Sequence, residues 1–273
     1  MQIRRFVFCA LVTITTCPII AHSQVEHPAH LGGRRLMRRV VEFFGGEENL
    51  SGVKSVQERL SERVYTSQSQ LVTSADTVRI IQFPDNVQYT VINRGISKTL
   101  GPSGAFGVNH GKVFDLSSQK TEMLDDVKRD IVNIAQHVND HKYVFRHVGE
   151  GKVGTVAASI IDIDADGAKT RWWIDAESGK LLFTSEDFND SLLGTGRIHL
   201  TLEYSKYKKF GDLNLPDKAV IREEFDHAYS DGLDRALGHL GGNVGVNYVG
   251  VAELTIEKIN PTIPKNAFDK PTK

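Results

Sequence analysis

Several groups of residues have the types and spacing of reactive sites. Asp162-Ile163-Asp164-Ala165-Asp166-Gly167 puts acids at the first, third and fifth places of a calcium loop and Gly at the sixth. The twelfth place, where a bidentate Glu would close the oxygen shell, is Trp173, so the stretch reads as a hairpin turn. Ser51-Gly52-Val53-Lys54 has the spacing in which a lysine helps deprotonate a serine nucleophile, but its companion motifs are absent. His27 with His30, and His137 with His141, could each pair on a metal, yet no acidic or histidine partner joins them. His137 and His141 also straddle a predicted helix end, where the helix dipole favours histidine. Gly101 to Gly107 lacks the Lys-Ser or Lys-Thr pair of a phosphate loop, and Gly241 to Gly245 lacks the third Gly and flanking elements of a dinucleotide fingerprint. His199 and Glu203 share one face of a strand and are the best acid and base available to a hydrolase. They read more simply as the polar face of an amphipathic strand. The sequence therefore predicts no catalytic residue, no metal and no cofactor.

The elements that would carry such groups are mostly strands. Gln24 to Gly33 reads as a mobile lead-in. Leu36, Met37, Val40, Val41 and Phe44 then share one helical face opposite Arg34, Arg35, Arg38 and Arg39, and Gly45-Gly46 ends that helix. Val56, Leu60 and Val64 fit either helix or strand spacing, and we read a strand. From Asp76 the period is two, with a turn at Gln82 to Asn86 before Val87, Tyr89 and Val91 alternate with Gln88 and Thr90. Gly101 to Gly111 reads as a loop before one long helix, Gln119 to Asn139, whose apolar stripe is Met123, Val127, Ile131, Ile134 and Val138. Strands follow at Lys142 to Val148, Val153 to Asp164, Ala168 to Asp175, Lys180 to Ser185, Ile198 to Tyr204, Asp217 to Glu224 and Tyr248 to Ile259. Tyr229 to Gly245 is Gly-rich and reads as a short helix or a loop. Successive strands with short turns predict a mainly β, α+β chain: a large curved antiparallel sheet, an incomplete or half-open barrel, closed by one or two helices.

The amino terminus reads as a secretory signal. Arg4 and Arg5 precede the uncharged run Phe6 to Ala21, and Ala21-His22-Ser23 offers small residues for cleavage before Gln24. The run is shorter than the roughly 18 apolar residues of a membrane span. Lipid attachment at Cys17 is the alternative, but Ile14-Thr15-Thr16 lacks the preferred Leu and small residue. Cys9 and Cys17 both fall in the removed segment, so the mature chain, residues 24–273, has no disulfide and must rely on one core. The whole chain has 33 basic and 34 acidic side chains; removing Arg4 and Arg5 leaves a net charge of about −3, no field for nucleic acid. The expected location is the periplasm.

Three stretches resemble a known group. Phe43-Phe44-Gly45-Gly46-Glu47-Glu48-Asn49-Leu50 followed by Val53-Lys54-Ser55-Val56 resembles the opening of periplasmic outer-membrane lipoprotein carrier and sorting-like (LolA-like) proteins. Trp172-Trp173-Ile174-Asp175 with Ser178-Gly179-Lys180 is similar to that group's strand and hairpin, and Ile256 to Asn260 with Ile263, Phe268 and Pro271 to its closing segment. The resemblance implies about a dozen antiparallel strands in an incomplete barrel, closed by helices around an apolar cavity that shields acyl chains from water. The arginine by which the carriers couple closing to release has no identifiable counterpart. Together, residues and resemblance predict a non-enzymatic periplasmic binding or carrier protein for a lipid or lipoprotein acyl chain, with an envelope protein as a further partner. The expected cavity lining is Tyr89, Val91, Trp172, Ile174, Phe183, Leu200 and Leu202, and the expected plug is the helix face Met123, Val127, Ile131 and Ile134. Such a role predicts few ionisable groups inside the cavity. The alternatives are an envelope signalling or structural interaction module without a ligand, or a secreted hydrolase.

Overall fold

The computed structural model describes residues 28–66, 69–95, 105–109, 112–114, 120–190, 196–226, 248–265 and 267–268. Residues 1–23 and Tyr229 to Gly245 lie outside them. Twelve strands form one antiparallel sheet in the order β5-β4-β3-β2-β1-β12-β11-β10-β9-β8-β7-β6. They are β1 (Ser55–Thr66), β2 (Leu71–Gln82), β3 (Asn86–Gly95), β4 (Ala105–Asn109), β5 (Lys112–Phe114), β6 (Tyr143–Val153), β7 (Val156–Ala165), β8 (Ala168–Asp175), β9 (Leu181–Asp190), β10 (Gly196–Phe210), β11 (Leu213–Phe225) and β12 (Tyr248–Ile259). Only β1–β12 links distant parts of the chain; every other pairing joins strands consecutive in sequence. The edges β5 and β6 are not paired with each other, so the barrel stays open.

Four helices, α1 (Pro28–Phe44), α2 (Glu47–Ser51), α3 (Lys120–Arg129) and α4 (Ile131–Gln136), lie against this sheet. α1 buries Met37, Val40, Val41 and Phe44 of the stripe read from the sequence against β6, β7 and β11, with Leu36 half-buried and Gly33 buried in addition. Gly33 is required there: a Cβ would lie 2.4 Å from the Phe145 carbonyl oxygen, so the helix backbone rests directly on β6. Gly45, at φ 118°, ends α1 in a conformation open to glycine, and its amide donates to the Glu42 carbonyl.

Four expectations are corrected. The lead-in is already helical from Pro28. The Gly101 to Gly111 loop contains β4. The turn between β6 and β7 falls at Gly154-Thr155, so β6 continues through the glycines at 149 and 151. The single helix Gln119 to Asn139 is two, because Asp130 leaves the helical region (φ −54°, ψ 133°) and its carboxylate accepts from the Val132 and Asn133 amides. That side chain caps α4, and an internal cap breaks a stripe whose periodicity is otherwise continuous.

The core contains Met37, Val40, Phe44, Phe145, Ile161, Ile163, Trp172, Ile174 and Leu181 under α1, continuing to Leu215, Ala219, Ala252 and Ile256. Asp166 and Gly167, both at positive φ, make the two-residue turn of the β7–β8 hairpin, as read from the sequence. Asp162 pairs across it with Arg171 at 2.5 Å, and the Asp164 carboxylate accepts from the Gly167 amide.

Candidate functional site

The strand register sets which side chains share the concave face. Across β9, β10, β11, β12 and β1 one row runs Glu186, Leu200, Glu223, Gly250, Val64. The next runs Thr184, Leu202, Ile221, Ala252, Glu62, and a third joins Tyr204, Ala219, Leu254 and Leu60. A fourth joins Ile256, Glu58, Arg79 and Tyr89 on β12, β1, β2 and β3. With α3 and α4 these rows enclose a cavity of about 230 Å³. Its apolar wall is Leu60, Ile131, Leu200, Leu202, Ala219, Ile221, Leu254 and Ile256.

The opposite wall is charged. Arg79 donates to Glu58 at 2.5 Å, and Glu58 is only 2% exposed. Tyr89 donates its hydroxyl to Asp126 at 2.7 Å. Asp126 in turn accepts from Arg129 at 3.1 Å, and the Arg129 Nε lies 2.6 Å from Glu186. This chain of contacts ties α3 to β3 and β9. Its Arg129–Glu186 pair is buried and holds only while the partners stay matched, whereas Asp126 is half-exposed.

Burial decides the ionisation of several members. It pushes Asp130 up to about 7, helped by the nearby Glu58 carboxylate and opposed by Arg79 and the α4 amides. It pushes Glu186 to about 7 as well, against the pull of Arg129. Glu223 is pushed to about 8 by burial and by Glu62. Burial also works against charge on Arg79, but Glu58 outweighs it and holds the guanidinium well above its ordinary value. Burial and the Asp126 carboxylate raise Tyr89, which stays a neutral donor.

The residues expected to line the cavity divide. Tyr89, Leu200, Leu202 and Ile131 line it. Val91 shares that face, half-buried opposite Thr77, outside the lining. Trp172 and Ile174 are fully buried in the core instead. Phe183 alternates with the lining residue Thr184, so it points to the other face, edge-on to Trp173 with ring centroids 4.9 Å apart. Of the helix face, Val127 and Ile134 are fully buried, and Ile134 belongs to the core. The Met123 side chain lies outside the described residues.

The cavity also corrects the expectation of few ionisable groups. Glu58, Arg79, Asp126, Arg129, Asp130, Glu186 and Glu223 all line it. The signal was parity: Glu58 alternates in step with Leu60, Arg79 with Ile81, and Glu223 with Ile221. A charge in phase with an apolar face was available to be read as an inward-facing charge.

The other motifs are accounted for locally. Ser51 donates its hydroxyl to the Glu48 carbonyl while Lys54 Nζ bonds the Ser51 carbonyl oxygen, not the hydroxyl. His137 stacks on Tyr143 at 4.7 Å, and His141 is exposed. His199 pairs with Asp187 at 2.9 Å rather than with Glu203. Among the described residues no group of three or more His, Cys, Asp or Glu side chains could hold a metal ion.

No protein-family model matches the chain, and no curated protein matches it in sequence. Among solved structures it is similar to a LolA superfamily protein from Nitrosomonas europaea, with 10% identity, 87% of this chain and 97% of that one covered, and a TM-score of 0.51. A DUF1329 family protein from Desulfovibrio piger is 9% identical, with 88% of this chain and 97% of that one covered and a TM-score of 0.48. The chain thus has the fold of the Nitrosomonas LolA superfamily protein, an open antiparallel half-barrel with helices against its sheet.

Proposed function

We propose that this is a non-enzymatic binding or carrier protein of the bacterial periplasm that holds the apolar part of an amphiphile in the concavity of its half-barrel. One observation carries the reading: a cavity of about 230 Å³, walled on one side by eight apolar residues, between the sheet and α3–α4. Each methylene moved from water into such a space contributes about 0.8 kcal/mol, so a bound chain needs no catalyst. The volume is below the roughly 300–1,000 Å³ of sites that hold a drug-sized ligand, so a longer chain needs α3 to shift outward. On its cavity side α3 meets β3 and β9 through polar contacts around Asp126 and Arg129, and Val127 is buried. The LolA-like fold and the amino-terminal pattern of Arg4, Arg5 and the following apolar run support carriage in the envelope.

The test is native mass spectrometry and lipid extraction on protein purified from an envelope fraction without detergent. A bound amphiphile in the wild type, absent from a folded Leu200→Asp/Leu202→Asp variant, supports the reading. A clean apo mass, together with no uptake of an uncharged fluorescent alkyl probe, refutes it.

A further inference from the structure

We infer that the amphiphile this cavity accepts is cationic, an alkylammonium whose head sits at Glu223 and whose chain lies along Leu200, Leu202 and Ile221. The inference rests on the reading that the cavity binds an amphiphile, and adds the sign of its head. Five carboxylates line the cavity, Glu58, Asp126, Asp130, Glu186 and Glu223, against two guanidinium groups. Both cations are already committed: Arg79 to Glu58 at 2.5 Å, and Arg129 to Asp126 at 3.1 Å and Glu186 at 2.6 Å. Asp130 is engaged by the two α4 amides. No guanidinium is left over for an anionic head.

Glu223 is different. Among the described residues its carboxylate makes no hydrogen bond and no ion pair, and the ionisable group that acts on it is another acid, Glu62. It is enclosed by protein yet keeps part of its surface open to the cavity. The fold makes room for it: its Oε2 lies over Gly250, where a Cβ would come within 2.4 Å. On the neighbouring row Ala252 separates Glu62 from Ile221, so small residues of β12 form a notch flanked by two acids. A buried carboxylate beside a like charge is relieved by a cation and worsened by an anion. Leu200, Ile221, and Leu254 with Leu60 fall on three successive rows, which gives the attached chain a path across them.

The experiment is calorimetric titration of the purified protein at pH 9, where Glu223, pushed up to about 8, is ionised, with three probes of equal chain length, dodecyltrimethylammonium, dodecanol and dodecanoate, each below its micelle concentration. The expected order places the ammonium about tenfold or more tighter than dodecanoate, as for a charged partner meeting a buried carboxylate. Glu223→Gln should bring the two within about threefold. The wild-type order needs no variant to fold and can overturn the proposal alone. Dodecanoate binding as tightly as the ammonium refutes the cationic ligand but leaves the apolar cavity standing. Absence of binding by all three probes refutes the cavity reading itself.

Discussion

The concave face has two halves that begin from the same sequence pattern and end differently. On β8, Trp172 and Ile174 alternate with Arg171, Trp173 and Asp175 and are completely covered by the α1 side of the core, with no space left. On β10, Leu200 and Leu202 alternate in the same way, but the residues that α3 and α4 turn toward them, Asp126, Arg129, Asp130 and Ile131, leave a cavity, part of its wall apolar and part charged. The difference lies in what covers each half. α1 is amphipathic and seated at backbone contact through Gly33, whereas α3 buries Val127 and turns Asp126 and Arg129 toward the cavity.

The largest effect should come from breaking the packed half. Phe44→Ala or Trp172→Ala removes a fully buried aromatic and should cost about 3–5 kcal/mol. Thermal unfolding followed by circular dichroism should then fall by roughly 10 °C for a chain of this size. A midpoint unchanged within 2 °C would mean the two halves are equally loose.

Filling space separates the halves next. Leu202→Trp adds volume where the cavity can take it, so the protein should unfold within about 1 kcal/mol of the wild type while losing alkyl-probe binding. Ile174→Trp adds volume to a filled core and should destabilise by about 1–3 kcal/mol without touching binding. Equal destabilisation by both changes would show that no usable space lies beside Leu202.

The pH dependence of stability reports the charged wall. Burial pushes Asp130 and Glu186 up to about 7 and Glu223 up to about 8 in the folded state, against ordinary values of 3.8 for Asp and 4.5 for Glu. The folded state therefore binds more protons than the unfolded chain between about pH 4 and 8, and this contribution to stability is lost as pH rises through that window. Denaturant midpoints should fall from pH 5 to pH 8, and Glu223→Gln should flatten the decline. A rise over that range, unaffected by the variant, would place these carboxylates in water.

The smallest effect belongs to the convex face. His199→Ala removes an ion pair with Asp187 whose members are 42% and 49% exposed, and it should change stability by less than about 1 kcal/mol and binding not at all.

What could be read beforehand follows from range. β12 begins and ends where its alternation does, at Tyr248 and Ile259, and the α1 stripe from Met37 to Phe44 is buried as spaced. Both depend on neighbours close in sequence. The break at Asp130 was hidden because a cap in mid-helix leaves the apolar period intact. The fates of Trp172 and Leu202 could not be separated, because alternation reports a face and not what covers it, and the covering helices are distant in sequence. The charged lining was present as parity, in Glu58, Arg79 and Glu223, but a charge in a half-buried strand is ordinarily assigned to solvent.

The most direct test is a crystal structure with a dodecyltrimethylammonium analogue brominated at the chain end, located by the anomalous signal of bromine. The account predicts bromine among Leu60, Leu202 and Leu254, with the head beside Glu223. Bromine lodged under α1 near Trp172, on the convex face, or nowhere ordered at saturating probe would contradict it.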